Sequence, residues 1–204
     1  MKWWHFVFVL FTTAVQAQDS VRYSSSYMFK DGVYFSFDAF RRNAPDVPKA
    51  AITSSQGARV MDLKSAGGRL FFPDSAGTRV RLDLDHTWGF CDNGVVYIRA
   101  GDSFSRIGLM GSLAHLVYDA TYRNFDAYTM GGSTSYTVEE QRFLDMATGD
   151  FLPVSAAGLY KVISRDPVLK EEFDAMKKKD RNKQETLFLF MRRYNDRHPL
   201  YFPG

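Results

Sequence analysis

Between Ala58 and Val154 the chain repeats a simple pattern: a short run of apolar or β-branched residues, then a break of glycine, proline, asparagine or aspartate. Arg59–Leu63, Arg69–Phe72, Thr78–Trp88, Val95–Arg99, Phe104–Met110, Leu113–Tyr122, Tyr128–Val138, Phe143–Met146 and Phe151–Val154 all read as strands on this basis. Thr78–Trp88 alternates most cleanly: Val80, Leu82 and Leu84 interleave with Arg79, Arg81, Asp83 and Asp85, the period of two that separates a buried face from a wet one. Asp92-Asn93-Gly94 predicts a tight hairpin, because Asn-Gly accepts the positive φ angles of a type I′ turn. Gly111 and Thr148-Gly149-Asp150 mark two further hairpins. Upstream, Val33–Phe37 is rich in β-formers, and Ser36 is placed to cap a short helix over Phe37–Asn43 that Pro45 and Pro48 terminate.

The period changes after Val154. Ser155 is an N-cap for a helix over Ala156–Ile163, and Asp166-Pro167 opens the next, with aspartate capping free N–H groups and proline fitting the first turn. Leu169, Phe173 and Met176 form one apolar stripe, and Leu187, Phe190, Met191 and Tyr194 form a second. The pattern predicts an α+β fold: an antiparallel meander of six to nine strands, open or curled toward a barrel, with a helical segment at about 155–197 packed on one face. Residues 18–204 read as a single β-rich domain.

The first 17 residues follow a different logic. Met1-Lys2 gives a positive start, Trp3–Val15 is an apolar run interrupted by His5, Thr12 and Thr13, and Val15-Gln16-Ala17 ends in a small residue. Polar residues begin at once with Gln18, Asp19 and Ser20. That order is the order of a secretory signal peptide, and the run is short of the roughly 20 apolar residues a membrane span requires. The expected location is therefore extracytoplasmic, periplasmic or secreted, with no integral membrane segment left after cleavage. The only cysteine, Cys91, does not follow the cut, so a lipid anchor is not expected.

Composition adds limits rather than a function. Hydrophobic residues at 45% and charged residues at 24% suit a packed core. The net charge is +3, falling by one when Lys2 leaves, which gives no pull toward nucleic acid. In an oxidising compartment a lone Cys91 forms no internal disulfide, so folding rests on packing, and Cys91 reads as a small buried hydrophobe.

Two groups of side chains stand out for chemistry. Asp83, Asp85, His86 and Asp92 straddle the predicted hairpin, and carboxylates with an imidazole are able to hold a divalent cation or do acid–base work. Strand parity argues against convergence, since Asp83 and Asp85 share the face of Arg79 and Arg81 while His86 shares that of Leu82 and Leu84. Tyr118, Tyr122, Tyr128 and Tyr136 are the second group, a possible binding face, because tyrosine suits binding surfaces as well as strands. No nucleophile elbow surrounds Ser112 or Ser133, His86, His115 and His198 form no close pair, and neither glycine pair has a phosphate-loop lysine; no cofactor is implied. Lys177–Lys183 reads as a solvated face.

Three stretches carry a family resemblance: Asp31-Gly-Val-Tyr-Phe-Ser-Phe-Asp-Ala-Phe-Arg-Arg-Asn-Ala-Pro45, Trp88-Gly-Phe-Cys-Asp-Asn-Gly94, and Asp166-Pro-Val-Leu-Lys-Glu-Glu-Phe173 with Tyr194-Asn195. In that order the chain resembles a group of uncharacterised exported proteins of Bacteroidetes-type bacteria. The resemblance implies an envelope or secreted location and carries no activity to any residue. The expected function is a non-enzymatic binding or structural module of the bacterial envelope, its partner an envelope protein, a peptide or a glycan; the alternative is a secreted hydrolase or metal-dependent enzyme.

Overall fold

The computed structural model describes residues 19–66, 69–101, 103–125 and 133–204. In chain order the elements are β1 (Ser20–Arg22), β2 (Gly32–Tyr34), α1 (Phe37–Arg41), β3 (Val47–Pro48), β4 (Phe71–Pro73), β5 (Arg79–Arg81), β6 (Gly89–Asp92), β7 (Val95–Ala100), β8 (Ser103–Leu109), β9 (Leu113–Phe125), β10 (Ser133–Asp145), β11 (Phe151–Pro153), α2 (Ala156–Ile163), α3 (Pro167–Ala175), α4 (Lys178–Arg181), α5 (Gln184–Arg197) and β12 (Tyr201–Pro203). Eight strands form one antiparallel sheet in the order β11-β10-β9-β8-β7-β6-β2-β3. The sheet is open: β3 and β11 end it on opposite sides, which decides against the barrel-like closure the strand count allowed. From β6 to β11 it is a meander, and β2 joins it beside β6.

The turns form where local chemistry demands them. Asn93 and Gly94 take φ angles of +53° and +77° and join β6 to β7 as the sequence predicts. Gly32 sits at φ +149°, and a Cβ there would lie 2.4 Å from the Val47 carbonyl oxygen, so only glycine lets β2 and β3 approach. All three predicted caps are present: Ser36 Oγ accepts from Ala39 N–H, Ser155 Oγ from Gly158 N–H, and Asp166 from the N–H groups of Val168 and Leu169.

Alternation along the strands sends side chains to two faces. Tyr34, Cys91, Val96, Ile98, Ile107, Ala114, Leu116 and Leu144 point to one face, where Ala39 and Phe40 of α1, Phe29 of the segment before β2 and Phe202 of β12 cover them. The opposite face is divided. Val33, Phe90, Tyr97 and Phe104 lie beneath the excursion that carries Ile52, Val60, Leu63, Leu70 and Leu82. Leu113, Phe143 and Leu152 lie beneath α2, α3 and α5, whose Leu159, Val162, Leu169, Phe173, Leu187, Phe190 and Met191 are all buried. The C-terminal helices thus pack on one face, as expected.

Two predicted strands take other forms. Arg59–Leu63 makes only an isolated bridge, between Arg59 and Thr53. Thr78–Trp88 contains the three-residue β5, paired only with β4, and then a 3-10 turn over Leu84–His86. Asp83 Oδ1 accepts from the Asp85 N–H at 2.9 Å, and this local bond stops the strand. Val80 is consequently exposed, while Leu82 turns inward to the core.

Cys91 is fully buried among apolar side chains with its Sγ 3.4 Å from Asp31 Oδ1, and burial pushes the thiol up to about 12. It packs as a small core residue.

Candidate functional site

The first sequence candidate separates into three contacts with structural roles. His86 Nδ1 lies 2.7 Å from Asp83 Oδ2, and this hydrogen bond holds the Asp83 carboxyl below its ordinary value. Both side chains are exposed, so the pair contributes little energy. Asp85 meets Arg99 Nη2 at 3.1 Å, while Arg99 Nη1 donates to the Leu84 carbonyl at 2.7 Å and fastens the turn to β7. Asp92 is buried at the end of β6. It pairs with Lys49 Nζ and accepts from the Leu63 N–H at 2.7 Å, tying the excursion to the sheet. The Asp92 hydrogen bond is also the main reason the Lys49 ammonium holds its proton more firmly than usual. Among the described residues no three His, Cys, Asp or Glu side chains converge on a possible ion position. Strand parity set His86 on the face opposite Asp83, but the 3-10 turn over Leu84–His86 replaces the strand and brings the two side chains together.

The second candidate is brought together. β9 and β10 are thirteen residues each and pair along their whole length, from Leu113↔Asp145 to Phe125↔Ser133. β8 pairs with β9 only at Ile107↔Leu116 and Leu109↔His115, across an irregularity, and β11 pairs with β10 only at Arg142–Leu144. Beyond those points Val117–Phe125 and Ser133–Gln141 form a two-stranded ribbon extending past the packed layers. Antiparallel partners point to the same face, so the register sorts its side chains unambiguously. One face carries Tyr118 and Glu140, Ala120 and Val138, Tyr122 and Tyr136; the other carries Asp119 and Glu139, Thr121 and Thr137, Arg123 and Ser135.

The first face is aromatic and organised. The Tyr122 and Tyr136 rings stack with centroids 5.6 Å apart at 23°. Tyr118 donates to Glu140 Oε2 at 3.0 Å, the Tyr122 hydroxyl donates to Glu140 Oε1, and Arg142 Nη2 pairs with Glu140 Oε2 at 2.6 Å. Burial, followed by the Glu140 carboxylate, raises the Tyr118 hydroxyl above its ordinary value. Tyr118 is half-buried and anchors the ribbon to the core face, whereas Tyr122, Tyr136 and Val138 remain exposed. Tyr128, the fourth predicted member, lies outside the described residues.

Sequence reasoning missed Val138, Glu140 and Arg142. Their membership follows from the Tyr122↔Tyr136 register, and the signal available was the alternation Tyr136, Val138, Glu140, Arg142, Leu144 along one strand. A surface of two stacked tyrosines, a valine and a Glu–Arg pair is suited to grip an apolar side chain beside a polar one, the chemistry of polypeptide recognition.

Compared with known proteins, the chain matches no family model, no curated protein and no solved structure.

Proposed function

We propose that the protein is an exported, non-enzymatic binding module of the bacterial envelope, with the tyrosine face of the β9–β10 ribbon as its ligand surface and a polypeptide as its partner. The supporting observation is the ribbon itself: it leaves the packed layers and carries the exposed Tyr122, Tyr136 and Val138 together on one side. Tyr122 is already stacked on Tyr136 and bonded to Glu140, so little side-chain freedom is lost when a partner docks. No described helix is long and apolar enough to cross a membrane. The leader lies outside the described residues, and its order of charged, apolar and small residues supports the export part of this reading.

Selection of a displayed random-peptide library on the mature protein tests the ligand. The expected result is enrichment of aromatic or aliphatic peptides whose binding falls about 10-fold in Tyr122→Ala, the scale of one lost aromatic contact. Peptides that bind Tyr122→Ala as well as the parent, or enrichment of none, would sink the ligand surface. Recognition confined to glycans on an array would replace the polypeptide partner. For export, N-terminal sequencing of protein recovered outside the cytoplasm is expected to begin at or near Gln18, and a start at Met1 contradicts it.

A further inference from the structure

The two edges of the ribbon are not equivalent. β9 is flanked by β8 up to Leu116, and its free length carries Asp119 and Arg123, charges of the kind that discourage strand addition. β10 is different. Beyond Gln141 toward its start it has no neighbour on the outer side among the described residues, and Ser133-Thr-Ser-Tyr-Thr-Val138 contains no charge and no proline. Every residue from Thr134 to Glu139 is exposed, with Tyr136 at 48% and Val138 at 42%. The uncharged Ser133–Val138 stretch of β-formers is a template for another strand, and the charges of the free length, Glu139 and Glu140, are confined to its inner end.

We propose that this edge pairs with the same edge of a second copy of the chain, giving a two-fold symmetric, four-stranded ribbon centred on Thr137. The inference does not depend on the ligand proposed above. Thr137 is the midpoint of the free edge Ser133–Gln141, so a dyad there uses all of it. In that register Tyr136 lies opposite Val138 of the partner and Val138 opposite its Tyr136, two cross-strand pairs of aromatic and β-branched side chains. Glu139 lies opposite the partner's Ser135, and Glu140 opposite its Thr134, so both carboxylates meet hydroxyl groups and neither meets the other copy's acid.

Charge complementarity supports the same register. Within one chain Asp119 and Glu139 are directly opposed, a like-charge pair that costs stability. No ion pair among the described residues uses either of them, or Arg123. In the dimer each row across the polar face reads Asp119, Glu139, then Ser135 and Arg123 of the partner. The small Ser135 lets the longer Arg123 side chain extend toward Glu139, so each copy supplies the cation the other's acid pair lacks. The isologous contact also closes on itself, leaving only the charged β9 edges outside.

Thr137 faces its own counterpart across the dyad, and the test uses that fact. Wild-type protein is expected to sediment as a dimer. Thr137→Lys and Thr137→Glu, both on an exposed side chain, are each expected to weaken self-association by roughly 100-fold while near-ultraviolet circular dichroism stays unchanged. Mixing the two variants is expected to restore a dimer containing one of each. Thr137→Cys is expected to give an intermolecular disulfide under mild oxidation, and Thr121→Cys, one strand inward, is not. A monomeric wild type, dimers unaffected by either charge, no recovery on mixing, or cross-linking through Thr121 in place of Thr137 would each overturn the proposal.

Discussion

Replacing Phe40 with alanine is expected to destabilise the protein by about 3–5 kcal/mol, the usual cost of deleting a fully buried aromatic ring and leaving a cavity. Phe40 has no exposed surface and is the hub of the core beneath α1. Trp88 stacks on it at 4.7 Å, Phe29 at 5.2 Å, and Tyr34 and Phe202 meet it edge-on at 5.8 and 5.5 Å. These rings come from the N-terminal segment, the sheet and the C-terminal strand β12, so the cavity would loosen contacts made far apart in sequence. In protein prepared without residues 1–17, Trp88 is the sole tryptophan, and its fluorescence reports the packing directly. Chemical denaturation followed at Trp88 is expected to show the loss, with a fall in Tm of about 10 °C. Leu189→Ala, at a side chain 52% exposed on α5, serves as the control and is expected to change stability by less than about 1 kcal/mol. A Phe40→Ala loss no larger than that control's would mean the rings do not pack as described.

The same core shows which features a sequence makes legible. Caps and tight turns were readable because their causes are local: Ser36, Ser155 and Asp166 accept from N–H groups two or three residues away, and Asn93-Gly94 adopts the φ angles its residues favour. Amphipathic stripes were readable for the same reason, and Leu169, Phe173, Leu187, Phe190, Met191 and Tyr194 are all buried. Thr78–Trp88 failed because alternation marks two faces only where a sheet exists to divide them. β5 pairs with β4 alone, Val80 finds no core, and Asp83 bonds to its own backbone instead of extending the strand.

Long-range pairing set the remaining boundaries. Tyr128–Val138 and Phe143–Met146 read as separate strands because Glu139–Arg142 has little β-propensity. The structure makes Ser133–Asp145 one strand because each of those polar residues has a partner on β9 and the exposed half of the ribbon requires no apolar core. The tyrosines illustrate the division well. Parity placed Tyr118 and Tyr122 on one face, but nothing local specifies that Tyr136 stacks on Tyr122. Three residues hold the fold together through backbone contacts. Gly32 admits the β3 backbone, Asn43 Oδ1 accepts from Lys30 N–H at 2.8 Å, and Asn195 brackets Leu113 by accepting from its N–H and donating to its carbonyl at 2.7 and 2.9 Å.

Asp166 supplies the other large effect. Its side chain is buried at 2% exposure and serves two helices at once. It caps α3 through Val168 and Leu169, and it receives Arg197 Nε at 2.5 Å, Arg197 Nη2 at 3.1 Å and His198 Nε2 at 2.8 Å from the end of α5. Arg197 above all, with His198 and the Leu169 N–H, holds the carboxyl far below the ordinary aspartate range despite its burial. Asp166→Ala removes the cap and leaves the Arg197 guanidinium without its anion, and is expected to lower Tm by on the order of 10 °C. Asp166→Asn keeps a capping oxygen but loses the charge, so its Tm is expected to lie between those of alanine and wild type. The folded carboxyl is more acidic than the unfolded one, so its stabilisation is complete above about pH 4 and is lost as the pH falls from there through the lower folded value. The Tm gap between wild type and Asp166→Asn is therefore expected to stay constant from about pH 7 to about pH 5 and to narrow steadily below about pH 4. A gap that persists unchanged into strong acid would show that the carboxylate charge does not join α3 to α5.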